Sequence, residues 1–399
     1  MAVVFSMARY GAGGGVSGSA GAGGDAAVGV LAGFRGEFYR CLAARADALF
    51  CVADAVLCED RPVGDLAHLS LVPEFGRGHG ALYDGLGQGR VDIGRLRRAV
   101  AGLPLPAWPD GRIRLAADVS SWLRPEAVTS PERMFCHVKG RGKNAGQMIP
   151  GWPYSFVAAL GPGASSWTLL LDAVRIGPRD DETELAAAQL REVAGRLAAA
   201  GHWHDGDPDI VIALDAGYNA TRLAWLLADL PVLLVARVRA DRVFYGPVPP
   251  RAGRPGRQGR HGTPVRCDDP ATWDGAAFTG QAASARYGPL AVTAWHRVHQ
   301  KLTSQCGGWE DWPPGTDRPL VEGTLIRLAA TAQAAGCQPL EPMWLWSPDP
   351  QAAPEQAAVL WQAYLRRFDL ERAKPDCCHK RVRSSSSGFP SVSGLVLAS

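Results

Sequence analysis

The sequence predicts an α/β protein in which a helical region precedes a mixed β-sheet. Residues 34 to 103 carry apolar side chains at helical spacing, whereas the period changes to that of strands after the Pro-rich segment LPLPAWPDG. Strand and helix patterns then alternate, which is typical of a sheet covered by helices. With 399 residues the chain is long enough for more than one domain.

The first 103 residues divide into a tail and a helical region. Residues 1–33 are rich in Gly and Ala, and they lack a cationic segment followed by an apolar one, so we predict a disordered tail and no export signal. Residues 34–103 predict two or three short helices, and Asp92 is a plausible N-cap for VDIGRLRRAVAGL. This region is either a DNA-binding bundle or a packing element.

Residues 111–241 predict the first part of a catalytic core. Three runs of strand length, RIRLAADVSSWLR, YSFVAALG and WTLLLDAVRIG, come before the amphipathic helix DETELAAAQLREVAGRLAAAG. The strand DIVIALDAGYN, the helix TRLAWLLADL and the strand PVLLVARVRA follow. Three strands, helix, strand, helix and strand form the order of a ribonuclease-H-like fold.

The rest of the chain interrupts and then completes this core. Residues 242–337 predict a β-rich insertion, residues 338–374 a last strand and helix of the core, and residues 375–399 an aberrant disordered tail. The insertion contains an Arg/Gly-rich loop that is suited to following a phosphate backbone, although a solvated loop is the alternative. The arginines of this loop are Arg251, Arg254, Arg257 and Arg260.

Composition excludes some classes of protein. The sequence contains no run of about 18 uninterrupted apolar residues, so it predicts no membrane span. The nine cysteines form no CxxC pairs, which favours a reduced, cytoplasmic protein without a zinc ribbon. The formal net charge of +3 is too small to indicate a polyanionic partner by itself, so the position of the charges has to decide.

Two acids stand at informative places in the predicted strands. Asp118 lies in RLAADVSSW, and Asp215 ends the apolar run VIALD. A carboxylate at the end of a buried strand is costly unless it is paired, although such residues more often cap turns. If the first and fourth strands are neighbours, the two acids face each other and need a cation, for which Mg²⁺ is the natural choice.

The last predicted helix offers a third acid. Tyr364, Arg367 and Glu371 recur at i, i+3 and i+7 in YLRRFDLE, on one helical face. Two ions about 3.5–4 Å apart and held by three carboxylates can drive an in-line attack on a phosphodiester. We therefore expect Glu371 to bind metal, and Tyr364 and Arg367 to contact the phosphates of a DNA strand.

Other acids compete for the same role. The alternatives are Asp172 in LLLDAV, Glu322 in LVEGTLIRL, and the loop HWHDGD with Asp205, Asp207 and Asp209. The loop residues are too close together in sequence to favour a dedicated metal site.

The motifs ADVSSWLR, ALDAGYN and YLRRFDLE resemble, in this order, those of DDE-class insertion-sequence transposases, in particular a bacterial group whose third motif reads Y-x2-R-x3-E. The resemblance implies Mg²⁺ or Mn²⁺ as cofactor, double-stranded DNA with terminal inverted repeats and a target as partners, and a homodimeric synaptic complex in the bacterial cytoplasm. It assigns Asp118, Asp215 and Glu371 to the metals, and Tyr364 and Arg367 to phosphate contacts.

The same group can carry an aromatic platform for an unstacked base in its inserted domain. Trp295, with Arg297 and Lys301 nearby in AWHRVHQK, is a candidate, because stacking on an indole stabilises a bound base by about 1–3 kcal/mol. A tryptophan buried in a strand of the insertion is the alternative.

The sequence departs from the group after its third motif. The group has a lysine seven residues beyond the glutamate, where this chain has Cys378, and the ring of Pro375 would clash with the carbonyl of Glu371. We therefore expect a frameshifted or truncated C-terminus, which would weaken the active site and dimerisation. A host nuclease of the same fold and a non-catalytic DNA-binding remnant remain as other interpretations.

Overall fold

The computed structural model describes residues 22–59, 63, 65–139, 146–162, 168–249, 259–284, 286–304, 306–310, 312–332 and 340–368. These residues form a mixed α/β structure around a ten-stranded sheet. No helix in these ranges is both long and apolar enough to cross a lipid bilayer. Glu371, the C-terminal tail, and Arg251, Arg254 and Arg257 of the Arg-rich loop lie outside the described residues.

Eight α-helices occur in the described ranges. They are α1 (Ala22–Arg40), α2 (Ala46–Cys58), α3 (Leu66–Leu69), α4 (His79–Gln88), α5 (Ile93–Ala101), α6 (Glu182–Ala199), α7 (Ala220–Leu226) and α8 (Pro354–Arg366).

The described residues also form fourteen β-strands. They are β1 (Leu42–Ala44), β2 (Arg90–Val91), β3 (Arg114–Leu123), β4 (Met134–Lys139), β5 (Gly146–Leu160), β6 (Thr168–Arg175), β7 (Ile210–Leu214), β8 (Val232–Val238), β9 (Val243–Tyr245), β10 (Pro264–Arg266), β11 (Phe278–Ser284), β12 (Gly288–Val298), β13 (Gly323–Ala330) and β14 (Met343–Ser347).

The large sheet has the order β11-β12-β13-β14-β8-β7-β3-β5-β4, and β6 pairs with β5. Strands β3, β7 and β8 run parallel to one another, and their other neighbours run antiparallel. All five residues of β7 are buried, because helices cover both faces of the sheet at this point. This explains why the IVIAL segment is an uninterrupted apolar run.

The two faces of β7 contribute to two different cores. Ile212 and Leu214 pack in the core that includes α6 and α7. Val211 and Ala213 pack in the core that includes α8 and strands β12 to β14. Because side chains alternate along a strand, the residue that follows Leu214 points toward the α8 side. That residue is Asp215, so the alternation directs this acid toward the end of α8.

The N-terminal helices form their own small cores. Val52, Leu69 and Leu82 belong to one apolar cluster, and Phe38 and Leu49 to another. Asp92 caps α5, as expected, by accepting a hydrogen bond from the backbone N–H of Arg95 at 2.9 Å.

The predicted tail needs a correction at its end. Helix α1 begins at Ala22, so residues 22–33 of the predicted tail are helical. Residues 1–21 of that tail lie outside the described ranges. The helix starts in an Ala-rich segment with Asp25 in its first turn, where a carboxylate interacts favourably with the helix dipole.

The predicted insertion joins the sheet that also holds the core strands. Strands β11 to β13 extend the ten-stranded sheet through β14, which pairs with β8. Strand β4 has no counterpart among the predicted strands, and it forms the opposite edge of the sheet, where it pairs with a long extension of β5.

A buried carboxylate links the helical region to the sheet. Asp172 of β6 is 4% exposed and accepts ion pairs from Arg97 of α5 and Arg196 of α6, each at 2.8 Å. The backbone N–H of Ala173 also donates to this carboxylate, at 2.8 Å. Asp172 is therefore a structural junction between three elements.

Candidate active site

The parallel pairing of β3 and β7 brings Asp118 and Asp215 together. Ala117 lies opposite Leu214 in the register, so the next residues along the two strands are the two aspartates. Asp118 is 8% exposed, whereas the side chain of Asp215 is 27% exposed because it follows the last residue of its strand. The two acids therefore share one end of the parallel strands, with Asp215 closer to solvent.

Helix α8 brings a positive charge to the two aspartates. It packs against β7, β8 and β3, and Arg367 forms its C-cap. The guanidinium Nη1 lies 3.7 Å from Asp118 Oδ1, and Nη2 lies 3.6 Å from Asp215 Oδ1. Arg367 itself is only 1% exposed. One buried guanidinium thus balances part of the charge of both carboxylates.

Tyr364 is fully buried one turn before Arg367. Burial raises the pKa of the Tyr364 hydroxyl. The Asp215 carboxylate adds to this increase, and the Arg367 guanidinium opposes it. The motif residues Tyr364 and Arg367 therefore lie at the two aspartates, as their common helical face predicts. Their assignment to phosphate contacts stays a prediction, and in this conformation the ring of Tyr364 has no exposed surface for such a contact.

A second tyrosine, which the sequence argument did not single out, reaches the same place. The hydroxyl of Tyr218 is buried, and burial together with the Asp118 carboxylate raises its pKa far above the usual range. Behind it, the Ser155 hydroxyl donates to Gln189 Oε1 at 2.6 Å, and Gln189 Nε2 donates to the Ser155 carbonyl at 3.1 Å. The signal for this polar layer was Gln189, a polar residue on the apolar face of α6.

The donor set suits a hard divalent cation. Two carboxylates that lie side by side where the parallel pairing of β3 and β7 ends offer the oxygen ligands that Mg²⁺ and Mn²⁺ prefer. Within the described ranges, no group of three or more His, Cys, Asp or Glu side chains is close enough to hold an ion. Glu371, which would be the third ligand, lies four residues after Arg367 and outside those ranges.

The competing acids have other partners. Asp172 is held by Arg97 and Arg196, as described above. The Glu322 carboxylate accepts from Arg297 at 3.1 Å, and Asp207 lies 3.5 Å from His204 on an exposed loop. None of these three carboxylates lies in an ion pair with Arg367 among the contacts of the described residues.

The structure does not present Trp295 as a platform for a base. The ring is 3% exposed, it packs against Trp273 and Trp344, and its N–H donates to the Trp273 carbonyl at 3.1 Å. The buried-strand alternative describes this conformation. Arg297 is exposed and paired with Glu322, and Lys301 is exposed.

The described end of the Arg-rich loop is anchored to the protein. Arg260 donates to the Arg318 carbonyl at 2.7 Å and lies 3.4 Å from Asp317. The next residue, His261, shares a hydrogen bond of 2.9 Å with the buried ring of His299. The guanidinium of Arg260 is therefore engaged within the protein in this conformation, and its role in DNA binding stays a prediction.

The histidine pair is expected to make stability depend on pH. Burial lowers the pKa of the His261 ring, and the positive charges of Lys301 and Arg260 lower it further. Burial also lowers the pKa of the His299 ring; His261 and Arg260 lower it further, while the Glu322 carboxylate raises it. A lowered pKa means that the unfolded chain takes up protons first, so stability is full above a pH of about 6.5 and falls as the pH drops.

Thermal unfolding between pH 7 and pH 5 checks this expectation. The midpoint should fall with pH, and it should fall less steeply in His299→Gln. His204→Gln is the matched control, because the His204 side chain is 71% exposed. An equal pH dependence in wild type and His299→Gln would contradict the expectation.

A mixed sheet with two aspartates side by side on adjacent parallel strands is compatible with the ribonuclease-H-like fold of DDE nucleases. A family model described as DDE superfamily endonuclease matches residues 37–301. Because the match covers more than half of the chain, the chain belongs to this superfamily of endonucleases. No curated protein matches it.

The match confirms the DDE-class identification made from the sequence motifs. It includes Asp118 and Asp215 and ends before Tyr364, Arg367 and Glu371. The bacterial subgroup and the aberrant C-terminus therefore stay predictions.

Proposed function

We propose that this endonuclease is a DNA transposase that hydrolyses phosphodiesters and transfers strands at the ends of an insertion sequence. The observation that carries the proposal is the meeting of Asp118, Asp215 and Arg367 at one end of the parallel strands. Arg367 is followed by Glu371 at the spacing of the third motif. In this proposal Asp118 of β3, Asp215 directly after β7 and, by the spacing of the motif, Glu371 would serve one reaction centre.

The chain's own residues supply binding and orientation in this proposal. Asp118, Asp215 and Glu371 would hold two Mg²⁺ or Mn²⁺ ions, which activate the attacking oxygen and stabilise the leaving oxygen when bound. The buried hydroxyl of Tyr218 adds a neutral polar group near Asp118. Arg251, Arg254 and Arg257 of the Arg-rich loop would bind phosphates of the DNA.

The test is cleavage of labelled duplexes by the full chain. One duplex carries the DNA that flanks the gene, including its inverted repeats, and the control duplex carries the same bases in scrambled order. Nicking at the repeat ends that requires Mg²⁺ or Mn²⁺ supports a transposase. Equal cleavage of both duplexes indicates a nuclease without end recognition, and binding without cleavage indicates a non-catalytic remnant.

Removing charge from the Arg-rich loop should weaken DNA binding in a salt-dependent way. The triple variant Arg251→Gln, Arg254→Gln, Arg257→Gln would lose three phosphate contacts. Each contact contributes about 0.9 to the slope of log affinity against log salt, so the slope should shrink by about 3. Arg260→Gln is the matched control, because its guanidinium is engaged by Arg318 and Asp317. An unchanged slope in the triple variant would show that the loop does not follow the backbone.

A further inference from the structure

The contact between Arg367 and the two aspartates differs from the other buried ion pairs of the sheet. Arg97 and Arg196 approach Asp172 to 2.8 Å, which is the distance of a charge-assisted hydrogen bond. Arg367 approaches Asp118 and Asp215 only to 3.7 and 3.6 Å. The guanidinium therefore balances charge at the site through longer ion pairs than those that fix Asp172.

The end of α8 that carries Arg367 has an anchor of its own. Arg367 is the C-cap of α8, and its backbone keeps right-handed helical angles, with φ −54° and ψ −33°. The preceding residue, Arg366, donates from Nη2 to the Gly161 carbonyl at 2.9 Å, which fixes the helix end independently of Arg367. A shift of the Arg367 guanidinium would thus leave this helix anchor in place.

We propose that Arg367 couples DNA binding to metal binding at the Asp118–Asp215 pair, an inference that rests on the proposed function. Without DNA, the guanidinium lies between the carboxylates and supplies the positive charge that two neighbouring acids need. A divalent cation on the same oxygens would repel the guanidinium, because like charges at this distance in a buried site interact strongly. Metal binding is therefore opposed while the guanidinium stays beside the two carboxylates.

A DNA phosphate is the anion that Arg367 is suited to take. A guanidinium binds phosphate with two parallel hydrogen bonds, which is a stronger arrangement than the contacts of 3.6 and 3.7 Å to the aspartates. Once the guanidinium moves to the phosphate, both carboxylates can turn to the metal. By linkage, DNA raises the affinity for metal and metal raises the affinity for DNA by the same factor.

Calorimetric titration of the full chain with Mn²⁺, with and without a short element-end duplex, tests the coupling. Wild type should bind Mn²⁺ at least about tenfold more tightly with DNA than without it, since coupling energies between sites commonly correspond to about 5–150-fold. Arg367→Gln should bind Mn²⁺ without DNA more tightly than wild type does, and DNA should add little. Arg367→Lys keeps the charge but lacks the paired N–H donors, so it should retain only part of the coupling.

Two controls separate the possible failures. Arg191→Gln removes a guanidinium from the exposed pair with Asp229 and should leave the coupling unchanged, while Asp215→Asn with DNA corrects for Mn²⁺ bound by the duplex itself. Equal effects of DNA on wild type and Arg367→Gln would overturn the coupling while leaving the proposed metal site intact. Mn²⁺ binding to Asp215→Asn that equals wild type in both conditions would overturn the proposed metal site itself.

Discussion

Replacing Asp215 by asparagine is expected to abolish metal-dependent cleavage of DNA while the chain stays folded. Asparagine has nearly the same shape, but it removes the negative charge that would hold a divalent ion beside Asp118. A bound metal ion stabilises the charge of the transition state by several kcal/mol. Losing about 4 kcal/mol of this stabilisation slows the reaction roughly a thousandfold. The measurement is the rate of nicking of the element-end duplex in Mg²⁺, together with thermal unfolding of both proteins.

Asp209→Asn is the matched control for this substitution. Asp209 is an exposed aspartate just before β7, at the opposite end of the strand from Asp215. It should cleave like wild type. Comparable loss of cleavage in both variants would show that the effect comes from the strand or from net charge, and not from a ligand at the carboxyl end of β7.

Replacing Asp172 by alanine is expected to cause a large loss of stability. The substitution leaves Arg97 and Arg196 facing a site from which their shared carboxylate has been removed. Breaking a buried ion pair in this way costs about 3–5 kcal/mol, and the lower end applies here because both guanidinium groups retain some exposure to water. The free energy of unfolding in urea measures the loss.

Asp229→Ala provides the comparison with an exposed pair. Asp229 also binds an arginine in two places, through Arg191 at 2.6 and 2.8 Å, but its side chain is 64% exposed. Exposed ion pairs contribute little, so this variant should unfold close to wild type. Similar losses in the two variants would contradict the assignment of Asp172 as a buried junction.

The parts of the fold that sequence could predict are those with a strong local pattern. Strand β7 could be predicted because IVIAL is an uninterrupted apolar run, as expected for a strand that is buried on both faces. Asp215 follows this run directly. Helix α6, capped by Asp181, follows from its period and its acidic first turn. The predicted order of strands and helices makes the first and fourth strands neighbours and so puts Asp118 beside Asp215. The register of β3 and β7 agrees with this prediction.

The remaining features depend on contacts between distant segments. Strand β4 was missed because MFCHVK is short and its partner is an extension of β5 that contains Pro150 and Pro153. That the strands of the predicted insertion continue the large sheet depends on the pairing of β14 with β8, which no local period encodes.

The candidate site shows the same division. The face shared by Tyr364 and Arg367 was visible in the sequence, because it depends only on helical spacing. That Arg367 lies between two aspartates depends on how α8 packs on β7 and β8. The burial of Trp295 likewise reflects its packing with Trp273 and Trp344 from two other segments.

The most direct test of the central claim is a change of metal preference at Asp215. In Asp215→Cys the thiolate is a soft ligand that disfavours Mg²⁺ and tolerates Mn²⁺ better. We expect cleavage of the element-end duplex by this variant to be lost in Mg²⁺ and partly restored in Mn²⁺, whereas wild type cleaves in both. Cleavage by Asp215→Cys in Mg²⁺ at the wild-type rate would contradict a role for Asp215 as a metal ligand.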